Sequence, residues 1–437
     1  MKRTLRHVTY SMGNFANTIA YQVFGNRIQF YYVDILGLNA ATAGVLWTIY
    51  GLWNAVNDPL MGQISDRTRS RMGRRVPYVL FGAIPLGLSF FFLWTPIKQP
   101  PWVLAAYFLM ILFIFDTLYS LTIIAYNALF PEVAPTVRDR VDLSATREIL
   151  ATIALLLSYI LAPIIAEQVG YITMGAIMGG LVGLGYLIAM IGVKEIPIDD
   201  KEVQLGLGAS LKVVLSSKPF LWFVGANVSK EYIWLVLGAM LPFWRKYALG
   251  IQAPISVFGT TLGPGDAEAV LLGLPILLTI PSLLIWRPIV MRLGYRRTWI
   301  IAALTFIPGL LLTGLAHDFT SGLIGTLLIC PGLAGSMIMP FPVISEVIDE
   351  DAKREGGYRR EGIFFGMNGG ITKLAFSAQG ILFASIMSAA GYVAGEAVQT
   401  ASAVNGIRFL IGGTPILASL LAAFCMWRYP LGRQSHR

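Results

Sequence analysis

Apolar runs of about 20 residues recur along the whole chain, and a helix of that length crosses the hydrocarbon core of a bilayer. Charged residues make up only 13% of the 437 residues, against about 25% in soluble domains. Both features predict an all-α membrane protein with twelve transmembrane helices. The expected spans are residues 9–34, 41–64, 77–97, 102–130, 146–167, 170–193, 219–245, 267–289, 298–316, 320–347, 362–390 and 405–428.

One long polar connector, residues 195–217, lies in the middle of the chain with six expected spans on each side. We therefore expect an N-terminal lobe at 1–194, a cytoplasmic central loop at 195–217 and a C-terminal lobe at 218–437. The basic stretches 66–75 and 287–297, which follow spans two and eight, resemble each other. Such an internal repeat is typical of two-lobed transporters.

The net charge of +9 follows membrane topology, because lysines and arginines concentrate in alternate loops. Both termini are therefore expected on the cytoplasmic side of a cell membrane. The distribution favours a lipid bilayer as the partner and gives no reason to expect a nucleic acid.

Two asparagines and an aspartate share one face of the second span. Asn54, Asn57 and Asp58 are spaced i, i+3, i+4, so their side chains project together. Pro59 cannot donate a hydrogen bond to the carbonyl of Ala55, which leaves another oxygen nearby. A charge in the bilayer interior costs about 2.5–3.5 kcal/mol, and a bound cation or proton would offset that cost. The pattern predicts a coupling-ion site; alternatively, Asp58 pairs with a buried base and only joins two helices.

Two separate motifs resemble the glycoside–pentoside–hexuronide:cation symporter family of the major facilitator superfamily. The first joins Asn57-Asp58-Pro59 to Gly62, Asp66-Arg67 and Gly73-Arg74-Arg75. The second is Glu346-Val347-Ile348-Asp349, followed by Gly357-Tyr358-Arg359-Arg360-Glu361-Gly362 and Lys373. The resemblance implies a major facilitator fold of two six-helix lobes, no enzymatic activity, and cation-coupled solute transport by alternating access.

The resemblance also implies cation-coupling residues, namely Asn54, Asn57, Asp58, Ser120 and Lys373. Sugar-transporting members carry two aspartates in span two, and Asn54 stands in place of the first. One carboxylate with neutral oxygens can hold sodium, a hard cation, by analogy with calcium and magnesium. Asp58 can equally carry a proton, because low-dielectric surroundings disfavour a charged carboxyl. The coupling ion is expected to be Na⁺ or H⁺, with the lost negative charge slightly favouring protons.

Polar residues of the spans that line the cavity in this superfamily are candidates for the substrate cavity. They are Asn14, Asn17, Thr18, Tyr21, Asp116, Asn227, Lys230, Glu231 and Thr372. Two aspartates that hold galactosides in relatives correspond to Thr18 and Ile123, so a galactoside site of that type is not expected. Asp116 is expected either to contact substrate or to pair with a base. Arg27 lies off the polar stripe of span one and is expected to be structural.

A cytoplasmic gate is expected from charged residues at the ends of the spans, whose ion pairs would break and re-form as the lobes move. Its members are Asp66, Arg67, Arg74, Arg75, Glu132, Arg147, Glu346, Asp349, Arg359, Arg360 and Glu361. Several aromatic residues are expected to mark the membrane interfaces; these are Trp47, Trp94, Trp102, Tyr159 and Trp299.

The expected function is a monomeric symporter of a small polar solute, such as a sugar, glycoside or uronide, with a monovalent cation. A lysolipid or another amphipathic zwitterion is the alternative cargo. A receptor or a membrane enzyme is disfavoured, because the sequence has no nucleotide-binding, metalloprotease or hydrolase motif. No structural metal is expected.

Overall fold

The computed structural model describes residues 3–97, 99–191, 193, 212, 214–257, 259–354 and 361–431. The described chain divides into two compact units. The first combines Met1–Leu38 with Val56–Glu202, and the second combines Asn39–Ala55 with Val203–Arg437. The lobe boundaries expected from the sequence stay a prediction.

Helices α1 to α8 account for most of residues 3–191. They are Arg3–Phe30, Ala40–Arg67, Val76–Phe92, Pro101–Ala128, Phe130–Val133, Val137–Leu156, Ala162–Gln168 and Tyr171–Ala189. Two π-helical turns extend them, Tyr31–Ile35 after α1 and Leu157–Leu161 between α6 and α7.

Helices α9 to α16 account for most of residues 218–431. They are Lys218–Phe243, Pro264–Leu315, Phe319–Ile338, Pro340–Arg354, Glu361–Thr372, Leu374–Ala389, Ala401–Arg408 and Thr414–Arg428. Two further π-helical turns, Trp244–Ala248 and Phe409–Gly413, follow α9 and α15. Between α9 and α10, strands β1 (Ile255–Val257) and β2 (Thr260–Leu262) pair antiparallel.

Two expected spans are divided in the structure, and a third pair is separated as expected. Within α10, the helical segments that correspond to spans eight and nine are separated at Gly294, whose φ of 74° suits a residue without a Cβ. Span ten is divided between α11 and α12, just before Pro340. Span eleven is divided between α13 and α14 at Lys373.

Seven helical stretches of the described residues are long and apolar enough to cross a membrane. The long helices α1, α2 and α9 are not among them. These three helices carry most of the polar residues assigned above to the ion site and the cavity, which lowers their hydropathy. In contrast, α3 exposes an apolar stripe of Phe81, Ile84 and Leu88, which suits a lipid-facing surface. The count of twelve spans stays a prediction.

In the first unit, two tyrosines fix α1 against α4. The Tyr10 hydroxyl donates to the Tyr126 carbonyl at 2.6 Å, and the Tyr126 hydroxyl donates back to the Tyr10 carbonyl at 2.8 Å. Their rings stack with centroids 4.5 Å apart. This reciprocal pair sets the register between the helices that carry the predicted span-one and span-four site residues.

The expectation of interfacial aromatic residues is wrong for four of the five. Trp47, Trp94, Tyr159 and Trp299 are at most 4% exposed and pack inside the protein, whereas Trp102 is 72% exposed. Trp299, for example, belongs to the apolar core of the second unit. Composition alone does not distinguish a belt residue from a core residue, because both faces of such a helix are apolar.

In the second unit, the first half of α2 packs closely on α14. The Trp47 indole donates to the Gln379 side-chain oxygen at 2.9 Å, with both side chains buried. A Cβ added to Gly380 would lie 2.7 Å from the Gly44 carbonyl oxygen and 2.8 Å from the Thr48 backbone nitrogen. The two backbones therefore approach at a distance that only glycine permits.

Gly380→Ala is expected to destabilise the protein by about 1–3 kcal/mol, because overpacking against backbone atoms outweighs the helix propensity of alanine, worth up to about 1 kcal/mol. Gly366→Ala is the matched control, since an added Cβ there meets nothing within 4 Å. It should be neutral or slightly stabilising. Thermal unfolding in detergent measures both; equal midpoints for the two variants would contradict the close approach.

Candidate functional site

Two pairs of polar side chains connect α2 to α4 inside the first unit. The Asn57 amide nitrogen donates to the Asp116 carboxylate at 2.8 Å and to the Asp116 carbonyl at 3.1 Å. The Ser120 hydroxyl donates to the Asp58 carboxylate at 2.5 Å. Asn57, Asp116 and Ser120 are at most 1% exposed. The structure therefore brings together Asn57, Asp58 and Ser120, as expected, and adds a second carboxylate.

Asp116 lies on the face of α4 that contacts α2, and the two roles expected for it, substrate contact or pairing with a base, stay predictions. Asp116 and Ser120 are spaced i, i+4 and share one helix face, which faces Asn57 and Asp58 on α2. Tyr119 lies within electrostatic range of both carboxyl groups and donates its hydroxyl to Asn17 at 2.7 Å. α1 thereby contributes Asn17 to the same polar region.

Asn54 and Lys373 belong to the second unit. The buried Asn54 amide donates to the Tyr50 hydroxyl at 3.1 Å, one turn earlier on α2. Lys373 occupies the break between α13 and α14, where its carbonyl accepts a hydrogen bond from the Phe376 amide at 3.0 Å. The expected coupling of Lys373 to Asp58 stays a prediction.

A second polar region lies between α9 and α13, inside the second unit. The Asn227 amide donates to the Asn368 side-chain oxygen at 3.0 Å, and the Thr372 hydroxyl donates to the Asn368 carbonyl at 2.8 Å. The Lys230 ammonium pairs with the Glu231 carboxylate at 2.5 Å. Since this ion pair is internally neutralised, the region offers hydrogen-bonding groups rather than a net positive charge.

Three further cavity candidates, Asn14, Thr18 and Tyr21, lie on α1. Asn14 bonds to Arg147, donating to its carbonyl at 3.1 Å, and Thr18 donates to the Asn14 carbonyl at 2.9 Å. Tyr21 is half-buried, and Arg27 is 3% exposed inside the first unit. Asn14 therefore lies with a predicted gate residue rather than with Asn17 and Tyr119.

Arg75 and Arg147, two of the predicted gate residues of the first unit, contact residues at the end of α4. Arg75 donates to the Ala128 carbonyl at 2.7 Å and lies 3.8 Å from the Glu132 carboxylate. Arg147 donates to the Asn127 side chain at 2.8 Å and lies over the rings of Tyr126 and Phe130. These contacts connect the residue that precedes α3 and the middle of α6 to the end of α4.

In the second unit, Glu346 accepts a hydrogen bond from the Tyr429 hydroxyl at 3.1 Å, and Asp349 is exposed on α12. The side chains of Asp66, Arg67 and Glu361 lie outside the described part of the chain, as do Arg359 and Arg360. The gate as a whole stays a prediction.

An acidic cluster near the start of α6 was not anticipated from the sequence. Arg3 pairs with Asp139 at 2.5 Å and with Asp142 at 2.8 Å. The Thr136 hydroxyl, which donates to Asp139 at 2.6 Å, holds the pKa of that carboxyl below its ordinary value, with a smaller contribution from Arg3. This cluster connects the first turn of α1 to α6.

Asn368 was also missed, although it stands four residues before Thr372, and that spacing places both on one face of a helix.

The sequence model of the family described as "MFS/sugar transport protein" matches residues 9–433. The chain is 23% identical to the "Isoprimeverose transporter" of Lactiplantibacillus pentosus, over 97% of this chain and 88% of the relative. It is 25% identical to the "Glucuronide carrier protein homolog" of Escherichia coli, over 97% and 92%. It is 21% identical to the "Sodium-dependent lysophosphatidylcholine symporter 1-A" of Danio rerio, over 98% and 86%.

Among solved structures, the crystal structure of the nucleoside transporter NupG aligns with a TM-score of 0.70 at 12% identity, covering 98% of this chain and 100% of that one. At that identity the likeness concerns the fold alone.

Proposed function

Because the chain belongs to the MFS/sugar transport protein family, whose sequence model matches almost its whole length, we propose that it is a symporter that moves a sugar or glycoside with a cation. The family and the relatives confirm the resemblance stated from the motifs, and they are transporters rather than enzymes. The chain is thus an all-α, multi-pass membrane transporter.

The observation that carries the proposal is the contact with α4 of the buried Asn57 and the partly buried Asp58. Carboxylates within a transmembrane region are costly and mark ion pathways by default. Here they lie where α2 contacts α4 through hydrogen bonds rather than against lipid. A cation that binds there changes the stability of the α2–α4 contact, and such a differential effect is what couples an ion to a conformational change.

For the substrate, the Asn227–Asn368 pair and the Lys230–Glu231 pair favour a neutral sugar or glycoside. The amides can exchange hydrogen bonds with hydroxyl groups, whereas an acidic sugar would have to compete with Glu231 for Lys230. Relatives of this chain are named for isoprimeverose and for glucuronides. A uronide is therefore the second sugar class to test.

The test is uptake by the purified protein in proteoliposomes with an imposed Na⁺ or pH gradient. A labelled neutral glycoside should accumulate above its external concentration with one of these gradients, and an ionophore that dissipates the gradient should abolish accumulation. Absence of accumulation with either ion, for glycosides, glucuronides and lysolipids alike, would overturn the proposal.

A lysolipid is the second candidate cargo, because a sodium-dependent lysophosphatidylcholine symporter aligns with 98% of the chain. Competition separates the two cargoes. Lysophosphatidylcholine below its micellar concentration should leave glycoside uptake unchanged if the cavity binds sugars, and should block uptake if it binds lysolipids.

The same proposal includes Na⁺ or H⁺ as the coupling ion, a cytoplasmic position of both termini and a monomeric state. The basic loops support the orientation.

Lys373→Ala is expected to change the ion dependence of uptake more than the apparent affinity for substrate. The substitution would remove a lysine that competes with the cation for Asp58. The ion concentration for half-maximal uptake should therefore shift several-fold, where a 10-fold shift corresponds to a change of about 1.4 kcal/mol in the free energy of ion binding. Lys212→Ala, on an exposed residue, is the control. A lower substrate affinity with unchanged ion dependence would instead make Lys373 a substrate ligand.

A further inference from the structure

We propose that Asp116 supplies the second carboxylate of the coupling-ion site, and that with Asp58, Asn57 and Ser120 it binds Na⁺. The inference rests on the proposed function and specifies its ion site. Sequence reasoning placed Asp116 in the substrate cavity or beside a base, and counted one carboxylate at the ion site.

The first argument is position. Two hydrogen bonds from one amide nitrogen of Asn57, to the carboxylate and to the carbonyl of Asp116, fix this residue against α2. Asp116 is 1% exposed and Asn57 is fully buried. Four residues later on α4, Ser120 bonds to Asp58. Both carboxyl groups therefore lie on the α2–α4 face, about one helical turn apart along α4.

The second argument is an unsatisfied acceptor. Within the described residues, the side-chain oxygen of Asn57 accepts no hydrogen bond although it is fully buried. It is bonded to the same carbon atom as the amide nitrogen that contacts Asp116, so the unsatisfied oxygen and the carboxylate belong to one buried contact. A buried acceptor without a donor is unfavourable, and a cation satisfies an amide oxygen and a carboxylate at once.

The third argument is charge. Two neighbouring carboxylates repel each other, and one proton neutralises only one of them. A hard cation with oxygen ligands interacts favourably with both. The single carboxylate counted from the sequence slightly favoured protons, because Asn54 stands where sugar-transporting relatives carry an aspartate. With Asp116 the site again has two carboxylates, one of them from α4. The expected coupling ion therefore changes from a proton to sodium.

The experiment measures thermal unfolding of the purified full-length protein in detergent while NaCl replaces choline chloride at constant ionic strength. Sodium should raise the midpoint of the unmodified protein, since a ligand of the folded state stabilises it. Asp116→Asn keeps the size of the side chain and should weaken the apparent sodium affinity at least about tenfold. Asp34→Asn, the same change at a buried aspartate elsewhere in the first unit, should respond like the unmodified protein.

A second measurement does not depend on the folding of a variant. An apolar carbodiimide reacts with membrane-embedded carboxyl groups, and peptide mass spectrometry locates the product. Sodium should protect both Asp58 and Asp116 in the unmodified protein. The inference would be overturned if sodium protected Asp58 alone, or if Asp116→Asn kept the sodium response of the unmodified protein. It would also be overturned if Asp34→Asn lost as much sodium affinity as Asp116→Asn.

The outcomes also separate this inference from the proposed function. Uptake driven by a pH gradient with no sodium effect on unfolding overturns the sodium site and leaves cation-coupled transport standing. Absence of uptake with either gradient overturns the proposed function itself.

Discussion

Asp58→Asn is expected to abolish accumulation of substrate against its gradient. The substitution keeps the shape of the side chain and an acceptor for the Ser120 hydroxyl, but it removes the charge that a cation binds. Without a coupling free energy between ion and substrate, the carrier can only equalise substrate across the membrane, to an accumulation ratio of about 1. Proteoliposome uptake with and without the ion gradient measures this ratio.

Two comparisons make that result specific. Ser120→Ala removes one hydrogen bond and retains the carboxylate, so accumulation should persist but require more ion. Substrate exchange across the membrane without an ion gradient should survive in Asp58→Asn, which shows that the protein is folded. Accumulation by Asp58→Asn at the level of the unmodified protein would mean that Asp58 only joins two helices.

The sequence predicts those features of the site that depend on residues close together in the chain. The spacing of Asn57 and Asp58 within one helix is a property of helix geometry, so their common face could be predicted. Their partners on α4 lie about 60 positions away, at a separation of 59 residues for Asn57 and Asp116. Asp116 stands four residues before Ser120, which the resemblance placed at the ion site, so helix geometry indicated that both share one face of α4. Asp116 was nevertheless assigned to the cavity or to a base partner.

The breaks within the spans show the same limit. Pro340 marks the division of span ten with a residue that disfavours a continuous helix, so that signal was present in the sequence. The break at Lys373 carries no such residue, because neither proline nor a positive φ is involved. The backbone angles of Lys373, φ −67° and ψ −17°, stay helical, so the sequence contains no signal for this break.

The second large effect is expected at the buried ion pair of the second unit. The Arg245 side chain, at the end of α9, lies 3.3 Å from the Glu268 carboxylate on α10 and donates to the Ile251 carbonyl at 2.5 Å. Glu268 is 1% exposed and Arg245 is 9% exposed. This pair fixes the π-helical end of α9, the helix that carries Asn227 and Lys230, against the first turns of α10.

Arg245→Met is expected to destabilise the protein by about 3–5 kcal/mol, because it removes the guanidinium group from the buried Glu268 carboxylate. The double variant Arg245→Met/Glu268→Leu should regain most of that loss, since two apolar side chains need no compensation. Arg354→Met is the matched control, because the Arg354–Glu350 pair is largely exposed and should contribute at most about 1 kcal/mol. Thermal unfolding of the three variants distinguishes the cost of a buried charge from the loss of a packing contact. If the double variant is no more stable than Arg245→Met, the loss of stability comes from packing and not from the buried charge.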